Sequence, residues 1–339
     1  MPNNRFQVQF LHQLAERFEE RGLMIQALSQ TLSLSKDATY RRLRGDTVLS
    51  ADELMALAEK YQLSLSLDPT GIPFKYNQFE HAIRSPEDYF KQLEQYLHLV
   101  ELLPDKTLYY ATGDLPFFYE MLSPRLMSFK LYIYGITAWN FEAWKQQPFH
   151  PSLIDNRVLE MADRIGRTAY RIPGQELWTM SLLDTTLNQV EYMLLTGKFA
   201  DNQDAVLILD EIKSTVHHLE KMASLGKKFA PGSDPSNSEV PFALSHNELI
   251  NTNSIILIYS PVQSLLFITF VTPNYIHTKD DQLCARLQSW FADLVTVSNP
   301  LDASSGKYRS WYFNHLHRTV QRTRQQAPQP IIDISNYYI

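Results

Sequence analysis

Apolar residues over the first part of the chain recur every three or four positions: Val8, Leu11, Leu14 and Phe18; then Leu28 and Leu32; then Leu54, Leu57, Ala58 and Tyr61. Such spacing places side chains on one helical face. It predicts an opening helix over 7–21, a short helix from Met24 to Thr31, a tight turn at Ser33-Leu34-Ser35, and a second short helix from Lys36 to Arg44. Ser35 is the expected N-cap and Gly45 the expected stop. Leu28, Leu32 and Leu34 are expected to pack inward with Thr39 and Leu43. Ser50-Ala51-Asp52-Glu53 has the form of a capping box and opens a further helix.

The pattern changes after Asp68-Pro69-Thr70-Gly71-Ile72-Pro73, whose Pro and Gly content reads as a linker. Ser85-Pro86-Glu87-Asp88 then starts a helix with a cap, a proline and first-turn acids. Its apolar stripe is Tyr89, Leu93, Tyr96, Leu97 and Val100. Residues 108 to 144 are dense in aromatic rings, which suit a large core or the wall of a pocket for a small organic effector. Periodicity predicts helices over 155–171, 177–196 and 203–225, resembling an antiparallel bundle. Short Ile-, Leu-, Val- and Phe-rich runs at 240–246, 254–260 and 265–272 read as strands of an antiparallel hairpin sheet. A helix over 280–297 and a basic helix reaching about 325 close the chain. The expected fold is therefore α+β: mainly α, with a smaller antiparallel β part. Its expected domains are an N-terminal helical domain over 1–67, a linker over 68–74, and a larger helical domain over 75–339 with a short hairpin sheet near its end.

Composition bounds this picture without changing it. With 339 residues, 44% hydrophobic and 20% charged, the chain can form two globular domains. Cys284 is the sole cysteine, which excludes an intrachain disulfide and a cysteine-based zinc site and fits a reducing, cytoplasmic location. The N-terminal residues lack the apolar run of a signal peptide. The most apolar later stretch, Ser254 to Pro273, is broken by Ser260-Pro261 and Gln263-Ser264, so no membrane role is expected.

Charge is informative through its placement. The formal net charge of −6 opposes indiscriminate attraction to nucleic acid and leaves room for a local basic face. Residues 1–67 balance eight Lys plus Arg against eight Asp plus Glu, yet Lys36 to Arg44 holds four basic residues against Asp37 alone. A helix carrying Lys36, Arg41 and Arg44 outward suits the DNA major groove.

The stretch MIQALSQTLSLSKDATYRRLRG, residues 24 to 45, resembles the helix-turn-helix of lambda-repressor/Cro-like (XRE-type) transcriptional regulators. Ser29 stands where that family usually has Ala, Ser33 where it usually has Gly, and Gly45 lies at the expected distance; Arg42 stands near a position that is commonly apolar. The resemblance covers residues 1–67. It implies sequence-specific binding of double-stranded DNA by Ser35, Lys36, Asp37, Thr39, Arg41, Arg42 and Arg44; because one such module makes few base contacts and two half-sites add affinity, a homodimer using the larger C-terminal region is expected.

A second basic segment lies near the end of the chain. No acidic residue occurs between Asp302 and Asp333, and Lys307, Arg309, Arg318, Arg322 and Arg324 are all positive. Lys307, Arg309, Arg318 and Arg322 are candidate contacts for an anionic effector; the competing reading is a solvated face above an inward stripe of Tyr312, Leu316 and Val320. Common nucleotide, zinc-protease, hydrolase and C-x-x-C signatures are absent. Neither His217-His218 nor His315-x-His317 makes a two-ligand clamp on one helix. No cofactor, metal or catalytic residue is expected. The rivals to a transcriptional regulator are an enzyme with an appended helix-turn-helix and a protein-interaction adaptor that does not bind DNA.

Overall fold

The computed structural model describes residues 5–326 apart from 16, 19, 62, 64, 66–70, 78–81 and 251. The chain divides into two compact units, Met1–Pro73 and Phe74–Ile339. Part of the expected linker, residues 68–70, lies outside the described residues.

The first unit contains α1 (Arg5–Ala15), α2 (Arg21–Thr31), α3 (Lys36–Leu43) and α4 (Ala51–Tyr61). Phe10, Leu11, Leu14, Met24, Leu28, Leu49, Leu57 and Ala58 form its core. The opening helix is shorter than its apolar repeat predicts, and Val8 is exposed. Phe10 supplies the buried ring instead. Gly22 lies within α2, so it does not separate the first two helices.

The second unit is built around β1 (Lys75–Tyr76), β2 (Thr107–Thr112), β3 (Gly174–Trp178), β4 (Phe242–His246), β5 (Ile255–Tyr259), β6 (Leu265–Thr269), β7 (Tyr275–Thr278) and β8 (Asn299–Pro300). These join into one eight-stranded sheet in the order β1-β7-β6-β5-β2-β3-β4-β8. β2, β3 and β4 run parallel, while β5, β6 and β7 form an antiparallel meander beside β2. This mixed sheet overturns the expectation of a helical domain with a short hairpin. β2 falls within the aromatic-rich stretch, and β3 lies before and inside the span assigned to the 177–196 helix. Their partners are distant in sequence: Leu108 pairs with Gly174, and Gly174 with Phe242. Local periodicity carries no signal for such pairing.

Among the described residues, the α-helices of this unit include α5 (Pro86–Leu102), α6 (Phe117–Glu120), α7 (Pro124–Thr137), α8 (Glu142–Lys145), α9 (Asn156–Ala169), α10 (Asp184–Leu195), α11 (Asn202–Leu225), α12 (Asp281–Thr296) and α13 (Gly306–Gln326). Strand alternation divides their packing. Tyr110 and Trp178 meet core clusters containing helical residues such as Val100 and Phe129, whereas Ala111 and Leu177 pack with Phe291 of α12. α7 is buried at almost every position from Leu126 to Gly135. It is a central core helix, which explains why its apolar residues show no single stripe. Gly135 is required there because an added Cβ would meet Trp144 at 2.4 Å. Among the described residues, no helix is long and apolar enough to cross a membrane.

Candidate functional site

In the first unit, Ser35 caps α3 by accepting a hydrogen bond from the Ala38 N–H at 3.2 Å. Thr39 donates to the Ser35 carbonyl at 3.0 Å and is almost fully buried. The turn before the cap places Ser33 at φ 52°, and Gly45 follows the helix at φ 80°. Both are left-handed conformations, so Gly45 meets its geometry freely while Ser33 accepts it with a side chain. Ser29 closes the turn through a hydroxyl donation to the Leu34 carbonyl.

The predicted DNA-contact residues separate into three groups. Ser35, Lys36, Asp37, Arg41 and Arg44 are exposed. Thr39 points inward and forms part of the helix support. Arg42 is half-buried and committed to Glu53, with Nη2 at 2.7 Å from one carboxylate oxygen and Nε donating to the other at 3.0 Å. Arg44 pairs at the surface with Asp46 at 3.0 Å. Lys36 and Arg41 make no ion pair among the described residues. Tyr40 is also exposed on α3, one helical turn from both Lys36 and Arg44. Sequence reasoning passed over it because an aromatic residue ordinarily reads as core.

Two polar devices hold this surface. Gln7 is buried and donates to the Arg42 and Thr47 carbonyls at 3.0 Å each, while accepting from the Leu49 N–H at 2.9 Å. It therefore ties α1 to the chain leaving α3. Gln7→Ala is expected to destabilise the first unit by about 1–3 kcal/mol, because buried backbone groups lose their partner. Chemical denaturation followed by far-ultraviolet circular dichroism measures that change; an unchanged first-unit transition would reject the role.

Glu53 is the second device. Its backbone N–H donates to Ser50 Oγ at 3.1 Å, and its carboxylate accepts from the Ser50 N–H at 2.8 Å, completing the capping box. Hydrogen bonding from Arg42 is the main cause holding the Glu53 carboxyl below its ordinary pKa of 4.5. A lowered carboxylate pKa contributes stability above the unfolded value and loses it as pH falls through the folded value. Wild type is therefore expected to show an acid-linked loss of first-unit helix below about pH 4.5 that Glu53→Gln diminishes. Parallel pH titrations by circular dichroism test this difference; identical pH dependence would exclude Glu53 as its source.

The second unit contains a separate, partly open cavity of about 240 Å³. Leu97, Val100, Leu108, Ile172, Ile258 and Phe267 supply much of its apolar lining, and Asp114, Glu120, Lys130, Tyr134, Thr185 and Gln189 supply polar chemistry. Glu120 and Lys130 are buried and lie 3.4 Å apart. Lys130 also donates to Thr186 Oγ1 at 2.8 Å and Gln189 Oε1 at 3.2 Å, while Tyr134 donates to Glu120 at 3.4 Å. Burial raises the Glu120 pKa despite opposition from Lys130. Residues of the aromatic-rich stretch contribute to this lining, together with strand residues that the sequence alone did not place.

The second basic segment does not form one pocket. Lys307, Arg318 and Arg322 are exposed on α13, with Lys307 and Arg318 separated by about 16 Å of helix rise. Arg309 is half-buried and donates to the Asp302 carbonyl. The inward stripe contains Tyr312, Leu316 and Val320. Elsewhere, His217 and Glu220 of α11 approach His317 of α13, with three potential ligand atoms within 4.8 Å of one another. One histidine from each sequence pair enters this group, so neither pair alone foreshadows it. His246 is different: its ring contacts Tyr308 at 2.7 Å and Glu248 at 3.0 Å. Both nitrogens are occupied, and His246 does not line the cavity.

No protein-family model and no curated protein matches this chain. Among solved structures, it is similar to TrmBL2, an archaeal chromatin protein whose structure shows a novel mode of DNA binding. The match has 9% sequence identity and a TM-score of 0.25, covering 87% of this chain and 99% of the other. That weak likeness carries no conclusion about fold or function.

Proposed function

We propose that the chain is a sequence-specific DNA-binding transcriptional regulator of the lambda-repressor/Cro-like helix-turn-helix type, with a ligand-receiving C-terminal unit. The observation carrying the DNA reading is the capped α3 with Lys36, Tyr40, Arg41 and Arg44 outward, while Thr39 and Arg42 are used in its support. Basic groups can neutralise phosphates, and an outward helix can present side chains to base edges. Asp37 contributes an acceptor within the same exposed face. A homodimer would bring two such helices to two half-sites and strengthen binding through linked contacts.

The cavity supports a regulatory reading for the second unit through its apolar walls and small set of polar groups. DNA-fragment selection at near-physiological salt tests the first part with wild type and Lys36→Ala/Arg41→Ala protein. Enrichment of a two-fold symmetric site by wild type but not the variant supports the homodimeric regulator. Recovery of the same unspecific pool by both rejects sequence reading by α3.

A further inference from the structure

The polar lining of the cavity contains two acids, Asp114 and Glu120, and one base, Lys130, among its described charged residues. Lys130 is already engaged by Glu120, Thr186 and Gln189. It has three ammonium protons and these three acceptor groups. A ligand carboxylate or phosphate would therefore encounter acidic lining without a free basic donor. Asp114 has the complementary property: its side chain is exposed and makes no ion pair with a described cation. It follows the carboxyl end of β2, a common location for binding groups in α/β folds.

We propose that this cavity binds a small organic ammonium compound with an apolar body. Its ammonium would lie beside Asp114, while the apolar portion would occupy the Leu97–Val100–Ile258 side. Tyr89, Tyr110 and Tyr134 add aromatic surfaces to the same cavity, which favour cations at their faces when geometry permits. The volume limits the body: 240 Å³ lies below the roughly 300–1,000 Å³ common for larger organic-ligand pockets. The inference rests on the ligand-receiving interpretation of the second unit but does not require DNA binding.

The full-length protein tests it in the absence of DNA. Binding is measured by titration calorimetry and thermal shift with 3-phenylpropylamine, 3-phenylpropan-1-ol and 3-phenylpropionate, which retain one apolar skeleton while changing the polar end. Butylamine and cyclohexylmethylamine extend the shape series. At least one amine is expected to bind about tenfold more tightly than its neutral counterpart, with no comparable carboxylate binding. Asp114→Asn should weaken that amine about tenfold while retaining the unliganded unfolding transition, because Asp114 is exposed. Failure of every amine to bind, equal binding of the neutral or acidic partners, or unchanged amine affinity in Asp114→Asn would overturn the proposal. A separate loss of DNA selectivity leaves this ligand result intact and identifies failure of the DNA reading instead.

Discussion

Lys228→Met is expected to destabilise the second unit by about 3–5 kcal/mol, because it leaves a buried carboxylate without its cation. Lys228 Nζ lies 3.0 Å from Glu176 Oε1, and both side chains are almost wholly excluded from solvent. The same carboxylate accepts from Tyr119 Oη and from Trp178 Nε1 at 3.1 Å. This network fastens β3 to surrounding helical structure. Gly174 also serves the pair: an added Cβ would approach the Lys228 side chain within 2.5 Å. Tryptophan fluorescence provides a selective readout because Trp139, Trp144, Trp178, Trp290 and Trp311 all belong to the second unit. Denaturant unfolding should shift sharply in Lys228→Met. Glu176→Gln/Lys228→Met should recover part of the loss by removing the stranded charge while retaining a hydrogen-bond acceptor. Equal stability of wild type and Lys228→Met would reject the ion pair as a major constraint, and no recovery in the double variant would reject charge stranding as the mechanism.

Arg41→Ala is expected to weaken binding to the selected cognate DNA by about 1–3 kcal/mol while largely preserving binding to nonspecific DNA, if its guanidinium reads a base edge. Its exposed side chain makes this possible without first breaking a protein ion pair. Lys36→Ala should instead weaken phosphate contact more evenly across sequences and reduce the salt dependence of binding. Arg42→Ala has a different expected primary effect, destabilisation of the first unit through loss of the Glu53 pair. Salt-dependent binding curves on cognate and scrambled duplexes separate these roles. A uniform Arg41→Ala loss on both duplexes would reject specific base reading by Arg41, even if that residue contributes electrostatic attraction.

The contrast among these arginines explains why charge along a helix is insufficient to assign contacts. Local sequence identified a basic α3 but could not pair Arg42 with Glu53, a residue beyond the helix stop. Likewise, separated basic positions on α13 suggested an anion site, but helix rise and the Asp302 contact of Arg309 keep the named residues from converging. The buried Glu176–Lys228 pair had no local signature because β3 and Lys228 meet only after the intervening chain folds. The cavity follows the same logic: Asp114 is adjacent to a strand, whereas much of the apolar lining is assembled from α5 and distant strands.

By itself, the sequence determined the local helix-forming signals best: Ser35 before α3, Gly45 after it, and the capping box before α4. Short-range hydrogen bonds and side-chain spacing specify those features. It also supplied the aromatic and charged residues available to the larger unit. Only the tertiary structure decided which charges are exposed, how β2, β3 and β4 join despite long sequence separations, and which side chains enclose the cavity. Those choices depend on packing and strand pairing between distant segments, so a one-dimensional pattern identifies their components before it can identify their partners.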